Sequence, residues 1–169
     1  MNRTFTSFIT LSLATLFIAG CGGDPRPAGM PRLYPASIIV TQEGAPLAGA
    51  TVQMIAEDEA NARWGPMGTT DASGVAMMRT NARYNGAPLG AYKVIVSKLE
   101  DTPHPHPEWA GLPESDPNHW RYVEIAQRLV PVEVVAPQYT SITDTPLRVE
   151  ITAQGRTYEV AIGPRPAQR

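Results

Sequence analysis

Beyond Leu33 the chain is built largely of short runs in which apolar and polar side chains alternate. Ser37–Gln42 is β-branched and apolar. In Thr51–Glu57 the residues Val52, Met54 and Ala56 share one face. In Tyr92–Lys98 a face of Tyr92, Val94 and Val96 backs onto Lys93, Ile95 and Ser97. Leu147–Thr152 places Leu147, Val149 and Ile151 on one side and Arg148, Glu150 and Thr152 on the other, and Arg156–Ile162 repeats this with Tyr158, Val160 and Ile162. Successive strand residues point to opposite faces, so a period of two with one polar face predicts half-buried antiparallel strands. The last two runs are expected to form a hairpin around Gln154-Gly155.

Two connections carry turn chemistry. Glu43–Ala50 joins the first two runs, and Thr70–Gly74 joins Pro66–Thr70 to Val75–Thr80. In the second, the Asp71 carboxylate is placed to cap the turn and Gly74 to supply a positive φ. The alternation stops at 99–130. Prolines space the first half of that stretch, which predicts extended chain. The second half predicts a short helix with Asp116 as N-cap, Pro117 at the first position, and Trp120, Val123, Ala126 and Leu129 on one face. Val130–Val135 follows as a strand that Pro131 confines to an edge.

The N-terminus has a different pattern. Arg3 is followed by an apolar run from Phe5 to Ile18, long enough for a signal-peptide core but short of the roughly 20 residues that span a bilayer. It ends in Ile18-Ala19-Gly20-Cys21, which resembles the lipobox of bacterial lipoproteins with Ile18 in place of the usual leucine. That resemblance implies a signal peptide over 1–20 and Cys21 as the acylated N-terminus, carrying diacylglyceryl and palmitate-type chains. Gly22 follows instead of an aspartate, which favours the outer over the inner membrane. Gly22–Arg32 is Gly/Pro-rich and without apolar period, so 21–32 is expected to be a flexible tether. Residues 164–169 are expected to form a disordered tail.

Composition narrows the function classes. Fourteen basic and 16 acidic residues, a formal charge of −2, do not make the basic surface that a nucleic-acid partner requires. Seventeen prolines and 14 glycines suit a turn-rich β protein. The single cysteine excludes an internal disulfide framework.

Ala45-Pro46-Leu47-Ala48-Gly49-Ala50-Thr51-Val52, Thr69-Thr70-Asp71-Ala72-Ser73-Gly74 and Gly86-Ala87-Pro88-Leu89-Gly90-Ala91-Tyr92-Lys93-Val94 resemble, segment by segment, the carboxypeptidase-regulatory-like (transthyretin-like) β-sandwich of bacterial lipoproteins. Ala76 stands where the family places an aromatic residue. The resemblance implies an all-β fold, an antiparallel seven-stranded transthyretin/prealbumin-like sandwich over 33–163 with a loop and short-helix insert at about 99–130. It implies no activity, because this fold hosts many roles.

Candidate chemistry is confined to the insert. His104, His106 and His119 lie there among carboxylates, a residue set that suits a metal. Trp109, Trp120 and Tyr122 offer rings for stacking on a glycan or peptide. No nucleophile elbow, HExxH, CxxC or phosphate-binding glycine loop is present in the sequence. The expectation is a lipid-anchored cell-envelope binding or scaffolding module without catalytic activity or cofactor, whose partner is an envelope protein or glycan. The alternative is a metal-binding protein or metal-dependent enzyme using the three histidines.

Overall fold

The computed structural model describes residues 26–167; the expected signal peptide, Cys21 and the first part of the expected tether lie outside the described residues. Residues 26–30 contain a turn closed by Met30 N–H on the Pro27 carbonyl at 3.1 Å. From Pro31 onward the chain is one unit, and it is all-β with mostly antiparallel pairing.

One sheet is built on β1 (Ala36–Gln42), flanked on one side by β2 (Ala45–Pro46) and β5 (Val75–Met77) and on the other by β12 (Arg156–Ile162). The other has the order β11 (Arg148–Ile151), β8 (Gly90–Ser97), β3 (Thr51–Ala56), β4 (Pro66–Thr69), β6 (Arg79–Thr80) and β7 (Tyr84–Asn85). A separate ribbon pairs β9 (Leu99–Glu100) with β10 (Val132–Glu133). The predicted alternation sets the inner faces. Ile38, Val40, Val160 and Ile162 of the first sheet share one buried cluster with Val52, Met54, Tyr92, Val94, Val96, Val149 and Ile151 of the second.

Three expectations are corrected. The runs 147–152 and 156–162 do not form a hairpin. The turn between them, closed by Gly155 N–H on the Thr152 carbonyl, carries the chain from one sheet to the other, so β11 joins β8 while β12 joins β1. The pairing is not wholly antiparallel, because β12 leaves that turn at the end where β1 begins and therefore runs parallel to it, from Ala36↔Arg156 to Gln42↔Ile162. Finally, Val75–Thr80 is not one strand. It switches sheets at buried Met78, so that β5 pairs with β1 and β6 with β4.

The Asp71 turn forms as its residues predict. The Asp71 carboxylate accepts from Ser73 N–H at 2.9 Å, from the Ser73 hydroxyl at 2.6 Å and from Val75 N–H at 3.0 Å, and Gly74 has φ +77°. Hydrogen bonds from the Ser73 hydroxyl first, then from backbone N–H groups, hold this carboxyl below its ordinary range.

Strand register also fixes which loops share an end. β1 begins beside Tyr34, which bridges to Ala87, and the same end holds Pro66, Thr80 and Gly90. The other end holds Gln42, the Asp71 turn, Ser97 and Ile162. Seven residues of β1 separate the two ends, about 20 Å at the rise of a strand. The chain enters the domain at the Tyr34 end, and the 99–130 insert leaves from the Ser97 end.

Candidate functional site

The base of the insert is a clip. Val132↔Glu100 and Glu133↔Leu99 pair as β10 and β9, and Thr102 Oγ1 donates to the Val130 carbonyl at 2.6 Å. Glu133 accepts from Lys98 N–H at 2.8 Å and from Val135 N–H at 3.0 Å, which ties the clip to the strand end of β8 and to the buried Val134 and Val135. Gln42 Nε2 donates to the Val134 carbonyl at 3.0 Å. Glu100 meets Lys98 Nζ and Arg165 Nη1, each at 2.8 Å, so the first residues past Ile162 are held against the clip. Those two donors, Lys98 first, keep the Glu100 carboxyl below its ordinary range.

Beyond the clip, no residue from 101 to 131 is buried. α1 spans Pro117–Arg128, with the Asp116 carboxylate accepting from Asn118 N–H at 2.8 Å, in agreement with the predicted cap. Its orientation differs from the expected one. Trp120 is 59 % exposed and Ala126 is exposed, while the half-covered positions are Asn118, His119, Tyr122, Val123 and Ile125. The helix packs on the proline-spaced arm of the insert instead of on a core, so the residues that meet that arm define its inner face.

His104 and His119 make those contacts. His106 N–H donates to His104 Nδ1 at 3.0 Å, which makes Nδ1 an acceptor and places the ring proton on Nε2, 3.1 Å from the Tyr122 carbonyl. The His104 ring lies on the Tyr122 ring with centroids 4.0 Å apart. His106 stacks on Trp109 at 3.9 Å and 10°, and its Nδ1 donates to Glu108 at 3.1 Å. The Glu108 carboxyl sits below its ordinary range, chiefly through its own backbone N–H and then through His106. His119 Nδ1 donates to the Leu112 carbonyl at 2.7 Å, and the ring meets Trp120 edge-on at 5.0 Å.

The two residue sets that the sequence offered as alternatives are therefore ring partners. Each histidine is paired with one of Tyr122, Trp109 and Trp120. The rings of His104 and His106 are 6.3 Å apart, and both nitrogens of His104 serve backbone groups. Among the described residues, no three His, Cys, Asp or Glu side chains gather where they could hold a metal ion. The exposed large apolar side chains of the insert are Trp120, Leu99 at 65 % exposure and Val130 at 72 %. That surface is suited to stacking and apolar contact.

A concavity of about 470 Å³ runs along the outer face of the 66–80 segment between Met67, Thr69 and Asp71 on one side and Val75, Met77 and Arg79 on the other. Sequence reasoning missed it, because the candidate chemistry it singled out lies in the insert. The phase does carry a signal: Pro66, Thr70, Ala76, Met78 and Thr80 occupy the inward positions, which leaves Met67 and Met77 outside. Comparison of the chain with protein-family models, with curated proteins and with solved structures finds no match.

Proposed function

We propose that this chain is a lipid-anchored cell-envelope binding or scaffolding module without catalytic activity. In this reading the two sheets are a carboxypeptidase-regulatory-like, transthyretin-like sandwich, and the insert is its contact surface for an envelope protein or glycan. The observation that carries the reading is the placement of the insert at the end opposite the one where the chain enters. A lipid on Cys21 would bring the Tyr34 end toward the membrane, the outer membrane by preference, and leave Trp120, Leu99 and Val130 turned away from it. Loops held by a rigid scaffold are where recognition surfaces concentrate, and an exposed tryptophan is the kind of residue that anchors an interface.

The anchoring half is tested by Cys21→Ser. The variant is expected to lose acylation and leave the membrane fraction after processing, because each buried acyl methylene contributes about 0.8 kcal/mol to membrane binding. Among the described residues no helix is long and apolar enough to cross a membrane in its place. A processed Cys21→Ser chain that still fractionates wholly with lipid would overturn it.

A further inference from the structure

Among the described residues β12 is the longest edge strand, and its one strand neighbour is β1. Its register runs unbroken from Arg156 to Ile162, with no bulge, proline or lysine, the devices by which sheets blunt an edge. Which of its backbone groups face the open side follows from β1. Val40 N–H donates to the Gly74 carbonyl at 2.8 Å, and the Val40 and Ala36 carbonyls accept from Leu47 N–H and Met78 N–H, each at 3.0 Å. The even-numbered residues of β1 therefore bond toward β2 and β5, and Ser37, Ile39 and Thr41 bond toward β12. In a parallel pair, the residues in register with these turn their own groups away, and they are Thr157, Glu159 and Ala161. All three are exposed. Their N–H and C=O groups line the free edge. Beside it, a concavity of about 550 Å³ is walled by Glu150 and Thr152 on one side and Tyr158 and Glu159 on the other. Two arginines at its rim are engaged, Arg148 by Glu57 at 2.9 Å and Arg156 by Gln154 at 3.0 Å. Among the described residues Glu150 and Glu159 have no hydrogen-bonded or ion-paired side-chain partner, and Thr152 Oγ1 is buried without one.

We infer that the free edge of β12 takes an extended segment of a partner protein as an added strand, with a basic residue opposite Glu159. Backbone donors and acceptors repeating at every second residue are matched by another extended backbone, the basis of recognition by strand addition. Charge selects the occupant. A second copy of this chain, paired antiparallel in the register that uses all three residues, would set Glu159 against Glu159, and like charges directly opposite are destabilising. A basic side chain at that place is favoured instead, and the unpaired Glu150 across the concavity adds to the preference. This surface is distinct from the insert, and its use does not depend on a lipid at Cys21.

Residue-resolved hydrogen exchange on the full chain in detergent tests it, with an end-capped heptapeptide of alternating threonine and valine that carries lysine at its centre. At saturating peptide, the amides of Thr157, Glu159 and Ala161 are expected to slow by about fivefold or more, the protection that one hydrogen bond gives. The amides of Tyr158, Val160 and Ile162, already bonded to β1, should not change. The same peptide with glutamate at its centre should bind about fivefold or more weakly, and Glu159→Lys should invert that preference. The two peptides compared on the parent chain keep the test intact if the variant folds poorly. Exchange over 156–162 that is unaltered, or slowed without alternation, overturns the inference. Equal binding of the two peptides overturns the basic partner. Alternate protection without any peptide, together with a doubled mass in ultracentrifugation, overturns it in favour of a second copy.

Discussion

Gly74→Val is expected to melt about 10 °C below the parent chain. Two independent penalties combine at this position. Gly74 has φ +77°, a conformation that costs a residue with a Cβ about 1–2 kcal/mol. A Cβ would also lie 2.7 Å from the Val40 carbonyl, 3.1 Å from Pro46 Cβ and 3.2 Å from Leu47 N. Those are backbone and ring atoms of β1, β2 and the adjoining Leu47, tied to the turn by Val40 N–H on the Gly74 carbonyl at 2.8 Å, so they cannot swing aside. Forcing atoms into a filled site costs about 1–3 kcal/mol. The sum is about 3 kcal/mol, and at roughly 3–5 °C per kcal/mol for a domain of this size it gives the stated shift. Gly44→Ala separates the two penalties: Gly44 has φ +82° but open space around a Cβ, so that variant should lose only about 1–2 kcal/mol. Equal melting of the two variants would remove the steric part of the account.

Tyr92 is the largest fully buried side chain of the core, on a central strand, with its hydroxyl donating to the Pro88 carbonyl at 3.0 Å. Tyr92→Ala is expected to destabilise the fold by about 3–5 kcal/mol, the range for emptying a large aromatic site. Tyr92→Phe keeps the ring and leaves the Pro88 carbonyl unpartnered, a loss of about 1–2 kcal/mol. The same tyrosine gives the protein an alkaline limit. Burial, with the Asp58 charge second, pushes its hydroxyl up to about 12 from 10. The folded state therefore resists ionisation that the unfolded chain permits. The Tyr92 contribution is fully present below about pH 10, declines as the pH rises, and is gone above about pH 12. Denaturant titrations from pH 9 to 12 should show the parent losing stability faster than Tyr92→Phe, and parallel curves would contradict the assignment.

The parts of the fold that were legible in the sequence are those fixed by local rules. Tyr92, Val94 and Val96 are buried as their period requires, the Asp71–Gly74 turn has its predicted bonds and φ, and α1 starts at its predicted cap. What depends on distant partners was not legible. The turn at 152–155 has the same local chemistry whether its flanking strands pair with each other or join different sheets, and only the contact of β12 with β1, more than a hundred residues away in sequence, decides it. The Val75–Thr80 alternation is unbroken because a chain crossing between facing sheets keeps presenting alternate residues to the same core. The burial of Thr70, Thr80 and Thr145 is not predicted by any local pattern. Each spends its hydroxyl on a carbonyl, on Leu47 at 2.6 Å, Gly86 at 2.8 Å and Val94 at 2.6 Å respectively, and a partnered hydroxyl can be buried at little cost. In the insert, spacing along the chain could not reveal that each histidine takes an aromatic partner.

The central claim is that the two sheets close without the insert, which they carry as a surface. Its most direct test is thermal unfolding of a chain in which 102–130 is replaced by a short Gly/Ser turn. Glu100 and Val132 already face each other across the β9–β10 pair, so the new turn bridges neighbours, and loop-closure entropy changes by no more than about 1 kcal/mol. A single cooperative transition within about 5 °C of the parent is predicted. A broad, non-cooperative loss of structure would show that the insert belongs to the core and would contradict the account.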